Sequence, residues 1–307
     1  MSRGARDRDH DLERRTRLVQ SAGVASVSVA VALVVLKIWA WTATGSIAML
    51  GSLADSVLDL FASTMTLIAV RFALEPADPE HRFGHGKLEA IAGLAQSFVI
   101  TLSAGYVGFR AITRLIEPEP IAAPLAGTVV MLVSLVFTVS LVLYQRFVVR
   151  RTGSIAISAD ALHYKADVLT NIVVLAAIAA SSWFGWYRAD PILGLLVVLV
   201  ILASVRAIVL QSLDVLLDRE LSVERREQIL TIARRHEEVL GVHDLRTRTS
   251  GTHEFIQFHL ELSPELPLAR VHEICDEVEA EVEQRFPRAE VIIHADPFGV
   301  VEATDEF

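Results

Sequence analysis

Leu53-Ala54-Asp55-Ser56-Val57-Leu58-Asp59 interrupts an apolar run at 45–72, and Ala161-Leu162-His163-Tyr164-Lys165-Ala166-Asp167 interrupts another at 155–184. How these two stretches are read decides the fold. Each places two metal-ligand side chains four residues apart, and on a helix that spacing stacks both on one face. Each run exceeds the ~20 residues a helix needs to cross a ~30 Å hydrocarbon core. As membrane spans they put four ionisable groups inside the apolar layer. Such a placement is expensive and marks a functional site, usually a substrate path.

Working outward, six stretches are long and apolar enough to span: 18–42, 47–72, 88–113, 124–149, 156–184 and 190–213. Gly, Pro or charge separates them, at Thr44-Gly45, at 75–87, at Glu117-Pro118-Glu119-Pro120, at Arg150-Arg151-Thr152-Gly153 and at 183–190. With 52% hydrophobic and 21% charged residues, the chain is too apolar for an ordinary soluble domain. Twelve Lys and Arg residues flank one set of helix ends, in the arm 1–17 and near the second and fourth breaks. Four (Lys37, Arg110, Arg114, Arg188) flank the other. This bias predicts that both termini are cytosolic. At 1.5 Å per residue, Asp55 and Asp59 then stand roughly 12 and 18 Å from the outer face, and His163 and Asp167 roughly 20 and 14 Å. The two pairs share one level near the midplane.

Three carboxylates and one imidazole form a four-ligand set. Zinc accepts tetrahedral N/O coordination at ~2.0–2.2 Å. Without thiolate the set also suits Cd²⁺, Fe²⁺, Co²⁺ and Mn²⁺. Three anions around one dication leave a net negative charge, so protons compete with metal, and His163 titrates in the right range. These residues predict metal–proton antiport through one alternately exposed site. Asp160 lies on the same face as His163 and Asp167, either as an ion attractor at the mouth of the path or as a solvated helix start. Lys165 points elsewhere.

From Asp214 onward there are 22 acidic and 10 basic residues, against 15 and 18 before it. An acidic tail argues against nucleic acid and favours cations. It reads as a soluble α/β domain: a helix at 224–235, strands at 242–248 and 254–261 around a Ser250-Gly251-Thr252 turn, an amphipathic helix at 268–286 and a strand at 289–294. The order αββαβ predicts a ferredoxin-like layer of helices on one sheet face. Cys275 is the single cysteine, which excludes an internal disulfide and a Cys-based zinc cluster. His272-Glu273 lacks the second histidine of a zinc protease, so hydrolytic chemistry is not expected. Within 75–87, Asp78, His81 and His85 give a carboxylate and two imidazoles within eight residues. That spacing suits zinc and is also compatible with a polar loop.

The chain resembles the cation diffusion facilitator family, in its bacterial zinc and ferrous-iron efflux branch. The likeness is carried by Leu53–Asp59, by Pro76-Ala77-Asp78-Pro79-Glu80-His81-Arg82-Phe83-Gly84-His85-Gly86-Lys87, by Ala161–Asp167 and by His243-Asp244-Leu245-Arg246-Thr247-Arg248, and it runs from about 18 to 302. It implies a homodimer with six spanning helices, a cytosolic metal-binding domain and proton-coupled export. It implies a transport site of Asp55, Asp59, His163 and Asp167 and a loop site of Asp78, His81 and His85. It also implies a tail site of His243, His259, His272, His294 and Asp296, in which a metal pair bridges two protomers. Between the last two of these residues the chain has Ala295, where relatives carry a polar Gln. Lys87 and Asp218 match a charged lock near the cytosolic face, and Leu162 matches a hydrophobic gate.

The expectation is therefore a multi-pass protein of the bacterial cytoplasmic membrane, with an arm at 1–17, a six-helix membrane domain at 18–213 and a cytosolic domain at 214–307. It exports Zn²⁺ above all, in exchange for protons, with no organic cofactor, no nucleic-acid partner and no enzymatic reaction. The competing expectation is a membrane-bound metal sensor that signals through its tail without net flux. A sensor has no need of ligands at the midplane.

Overall fold

The computed structural model describes residues 3–44, 47–116, 125–184, 189–251 and 253–299. The expected breaks at Gly45, at Glu117-Pro118-Glu119-Pro120 and at 185–188 lie outside them, as does Thr252 of the expected tail turn. Six long helices come first: α1 (Arg3–Thr44), α2 (Ile47–Ala73), α3 (Leu88–Ile116), α4 (Leu125–Thr152), α5 (Ile155–Phe184) and α6 (Ala189–Leu216). The charged N-terminal residues from Arg3 are continuous with α1. Among the described residues, five stretches are long and apolar enough to cross a membrane: Arg14–Ala43, Ser52–Ala73, Leu88–Ile116, Thr128–Thr152 and Pro191–Leu216. α5 has the length, at 30 residues, but carries Asp160, His163, Lys165 and Asp167 in its first half.

One compact unit comprises 14–75 and 88–213. Its packing inverts the soluble pattern. The inward face of α3 is Glu89, Ala90, Gly93, Gln96, Ser97, Ile100, Ala104, Gly108 and Ala111, mostly small or polar. Phe98, Leu102, Tyr106 and Phe109 of the same helix face outward. Where the solvent is lipid, apolar bulk gains nothing from burial and small residues let backbones approach, so this pattern is the one a bilayer selects. Val19 and Ala22 (α1), Val70 (α2), Val148 (α4), and Ala156 and Ile157 (α5) form a buried knot.

The start of α5 is tightly set. Gly153, at φ 65°, follows the last turn of α4, and its N–H donates to Val149 O at 2.8 Å. That left-handed cap is costly for any residue with a Cβ. The Ile155 N–H, an unpaired donor in an isolated helix start, donates to buried Glu89 Oε2 at 3.1 Å. The direction in which α5 enters the bundle therefore follows from a glycine and one carboxylate.

The second unit comprises 76–87 with 214–307, together with 1–13. In it α7 (Val223–Ala233), β1 (Gly241–Ser250), β2 (His253–Leu262), α8 (Leu268–Arg285) and β3 (Ala289–Pro297) follow the expected order. The sheet order is β1-β2-β3, with β1 antiparallel and β3 parallel to β2. Ile256, Phe258, Leu260 and Leu262 alternate along β2 onto one face and pack with Ile229 of α7 and with Ile274, Val278 and Val282 of α8. The opposite face of the sheet is left for polar residues.

Candidate metal centres

In the membrane unit, Asp59, His163 and Asp167 each offer a ligand atom, all within 4.8 Å of one another. His163 Nε2 lies 2.8 Å from Asp59 Oδ1. Donors held ~2.0–2.1 Å from a tetrahedral metal stand roughly 3.3 Å apart, so small side-chain adjustments suffice to close the set. Asp55 is the fourth of the expected ligands. It is exposed and lies outside the group, because stacking at i,i+4 sets it a full turn, about 6 Å, further along α2. Leu162, the expected gate, is buried beside His163. Lys37 of α1 is expected from its position only as a flanking charge. Its ammonium turns inward instead, donating to Ser52 O at 3.0 Å and to buried Ser56 Oγ at 2.6 Å. The signal for it was a lysine six residues inside an apolar span.

Asp160 corrects both of its expected roles, since it is neither a mouth nor a solvated helix start. It is 0% exposed and accepts from Gln145 Nε2 at 2.7 Å and Ser63 Oγ at 3.2 Å. Periodicity put it on the ligand-bearing face but carried no information about which residues stood opposite.

The loop places Asp78, His81 and His85 together. Asp78 Oδ1 accepts the backbone N–H of His81 at 2.5 Å and of Glu80 at 2.9 Å, an Asx turn that folds the loop back on itself. The His81 N–H above all holds the Asp78 carboxyl below the usual carboxylate range. His81 Nδ1 stands 3.2 Å from Asp78 Oδ1 and His85 Nε2 stands 3.3 Å from Asp78 Oδ2. The loop docks on the β1–β2 turn. Phe83 meets Phe255 edge-on at 5.3 Å, and the Arg248 guanidinium lies over both rings at 4.5 and 4.8 Å. A Cβ on Gly86 would stand 2.2 Å from Ser250 O, so only glycine permits this approach. Lys87 Nζ pairs with Asp218 Oδ1 at 2.8 Å, and Arg248 adds a longer contact to the same oxygen at 3.5 Å.

The tail site is built by register. His243 pairs with His259 across the antiparallel ladder, and His259 with His294 across the parallel one, so three imidazoles form a row on the polar face. Adjacent rings are 5.1 and 4.8 Å apart. Asp296 lies beneath them, 2.7 Å from His259 Nδ1, 3.1 Å from His294 Nε2 and 3.5 Å from His243 Nε2. His243, His259 and Asp296 meet the same 4.8 Å condition as the other two groups. His272, also of the expected set, stands apart from this group within one chain. It sits on α8, against the apolar side of the sheet, 76% exposed and 3.5 Å from Asp276. Glu261, outside every quoted motif, and Asp244, inside the motif at 243–248 but given no role there, stand 3.6 Å from His243 and 3.7 Å from His259. Ala295 packs toward the apolar core, away from the imidazole row.

Residues 23–217 match the cation efflux transmembrane domain and residues 213–298 the cytoplasmic domain of cation efflux proteins. The cation-efflux pump FieF of Klebsiella pneumoniae is 46% identical over 290 residues, covering 94% of this chain and 96% of that one. FieF of Escherichia coli (strain K12 / DH10B) is 45% identical over 285 residues, covering 93% and 95%. A solved structure of a putative zinc transporter, CzrB in its zinc form, overlaps 28% of this chain and 98% of its own, at 34% identity and a TM-score of 0.27.

Proposed function

The chain belongs to the cation efflux family, and on that footing we propose that it exports divalent transition-metal ions, zinc foremost, in exchange for protons. Cd²⁺, Fe²⁺, Co²⁺ and Mn²⁺ are the further candidate cargoes. The observation that carries the reading is the meeting of Asp59, His163 and Asp167 between α2 and α5, inside a bundle whose outer surface is apolar. Two carboxylates and an imidazole replace the hydration shell of a dication where water is scarce, and Asp55 supplies the fourth donor in a state that brings it one turn inward. Each of these groups binds a proton in place of metal, so loading from one side and protonation from the other make the exchange.

In the same reading, 1–17 is a cytosolic arm, 18–213 the six-helix carrier in the cytoplasmic membrane and 214–307 a cytosolic domain. Asp78, His81 and His85 hold one resident metal. His243, His259, His294 and Asp296 hold the tail metal pair, with His272 contributing in a homodimer. Lys87 and Asp218 lock the loop to the segment after α6, and Leu162 closes the path beside His163. Metal on the acidic tail reduces repulsion between two copies and draws them together.

Purified protein in liposomes with an imposed pH gradient tests this. Zinc uptake should follow the gradient and stop when a protonophore collapses it. Zinc binding without any flux under either condition would overturn the reading in favour of a sensor.

A further inference from the structure

Asp59 and Ser63 are four apart on α2, and Asp160 and His163 are three apart on α5, so the two helices face each other in two rungs. The first rung is the metal cluster, with His163 Nε2 at 2.8 Å from Asp59 Oδ1. The second, one turn nearer the start of α5, joins Ser63 Oγ to Asp160 Oδ1 at 3.2 Å. There Gln145 of α4 donates to Asp160 Oδ2 at 2.7 Å and to Ser26 Oγ of α1 at 2.9 Å. The Tyr164 hydroxyl lies 2.9 Å from Ser63 Oγ and, at 3.4 Å, reaches Ser26 O. Ser26, Ser63, Gln145, Asp160 and Tyr164 are all fully buried. We propose that Asp160 is a second carboxylate of the transport machinery, reserved for a proton: one of the protons exchanged for each metal ion binds there and not on a metal ligand. This rests on the antiport reading above.

Three features of the pocket carry it. Each Asp160 oxygen already faces one donor, and among the described residues Asp160 joins no group of metal-ligand side chains. A metal therefore finds one carboxylate among neutral partners there, whereas a proton needs only one of the oxygen lone pairs left over. The partners are a hydroxyl and an amide, backed by the hydroxyls of Ser26 and Tyr164, each able to reverse its role. Serine and tyrosine hydroxyls rotate, and an amide turned by 180° exchanges donor for acceptor. Finally, Gln145 Oε1 is buried with no hydrogen-bond partner among the described residues. That acceptor is held in reserve: turned toward Asp160, it receives the O–H of the protonated acid. The pocket therefore satisfies carboxylate and carboxylic acid alike without backbone movement, which a proton carrier must do and a purely structural carboxylate need not. The step is a proton transfer only, with the carboxyl O–H made on one side of the membrane and broken on the other.

The titratable and charged groups around Asp160 are few. α2 presents Asp59 one turn away. α3 presents Glu89, committed to the Ile155 N–H. α1 presents Arg15, whose guanidinium donates to Thr152 O at 2.6 and 2.9 Å. α4 presents the neutral Gln145. On α5 itself stand His163, Tyr164 and Asp167, while Lys165 is exposed on another face.

The test uses the full chain in liposomes, with zinc uptake and proton release measured together. Asp160→Asn keeps the shape and removes the site. It should still move zinc, with one proton fewer per ion and a pH dependence shallower by about one proton. Gln145→Leu keeps the acid but removes its amide donor, which raises the pH midpoint of uptake while the stoichiometry stays as in the parent. An Asp160→Asn protein that moves as many protons per zinc as the parent overturns the proposal. If that variant does not fold, an unmoved midpoint in Gln145→Leu overturns it instead. A parent protein that moves zinc without protons defeats the antiport reading and this inference with it. A coupled parent and an equally coupled Asp160→Asn defeat this inference alone.

Discussion

At the residue scale, Asp55 and Asp59 are chemically identical and placed differently. Asp59 touches His163, whereas Asp55 stands a turn away and exposed. Asp59→Asn and Asp167→Asn should each lower the transport efficiency for zinc by ~100-fold or more. Asp55→Asn should cost about 10-fold, in line with the ~10–100-fold range for groups that support a metal without always binding it. Initial rates of zinc uptake at varied zinc concentration measure this, and equal losses at all three positions would contradict it. A pH effect follows from the tail. Arg270 donates to Glu238, Glu273 and Glu277. The Arg270 guanidinium holds the Glu238 carboxyl below its usual range, and the His236 ring followed by Arg270 does the same for Glu277. A carboxylate with a depressed folded-state pKa stabilises the fold above its ordinary pKa of ~4.3 and loses that contribution as pH falls through the lower folded value. Hydrogen-exchange protection of α8, corrected for the intrinsic rate, should therefore drop below about pH 4.3. In Arg270→Met that drop should be smaller.

At the scale of elements, the loop at 76–87 owes its shape to its contact with the β1–β2 turn. Gly86→Ala sets a methyl against the Ser250 carbonyl, where backbone on both sides prevents either from yielding cheaply. The loop should lift from the turn, with faster hydrogen exchange across 76–87 and metal affinity at Asp78, His81 and His85 lowered by about 10-fold or more. Unchanged exchange would contradict the docking. The strands and helices of the tail were legible because alternation along 254–261 and the three-and-four spacing of Val271, Ile274, Val278 and Val282 each have one reading. The row His243, His259, His294 was reached only through the family resemblance and not from local pattern, because it depends on cross-strand register. A parallel β2–β3 pairing and an irregularity between His243 and Arg246 set that register, and neither leaves a local mark. The place of His272 on the helical layer, apart from that row, likewise follows only from how α8 packs.

At the scale of the whole molecule, the chain sets an apolar, near-neutral carrier before an acidic tail, and both parts were readable from composition. What composition could not supply was the pairing of helices. That Ser26, Ser63 and Gln145 converge on Asp160 requires α1, α2, α4 and α5 to be adjacent, and periodicity on each helix gives only its own inward face. If tail metals draw two copies together and raise transport, a chain truncated after Leu213 should lose its stimulation by zinc while keeping basal, gradient-driven flux. Stimulation of the same size in both proteins would contradict a regulatory tail.

The central claim is that α2 and α5 hold a single ion between Asp59, His163 and Asp167. Zinc K-edge absorption on a chain with Asp78, His81, His85, His243 and His259 replaced by Ala tests it most directly, because the transport site is then the remaining cluster of the three. The account predicts one retained zinc with nitrogen and oxygen neighbours at ~2.0–2.2 Å, including a single imidazole, and loss of that zinc on adding Asp167→Ala. Zinc held by two or more imidazoles, or retained after Asp167→Ala, would contradict it.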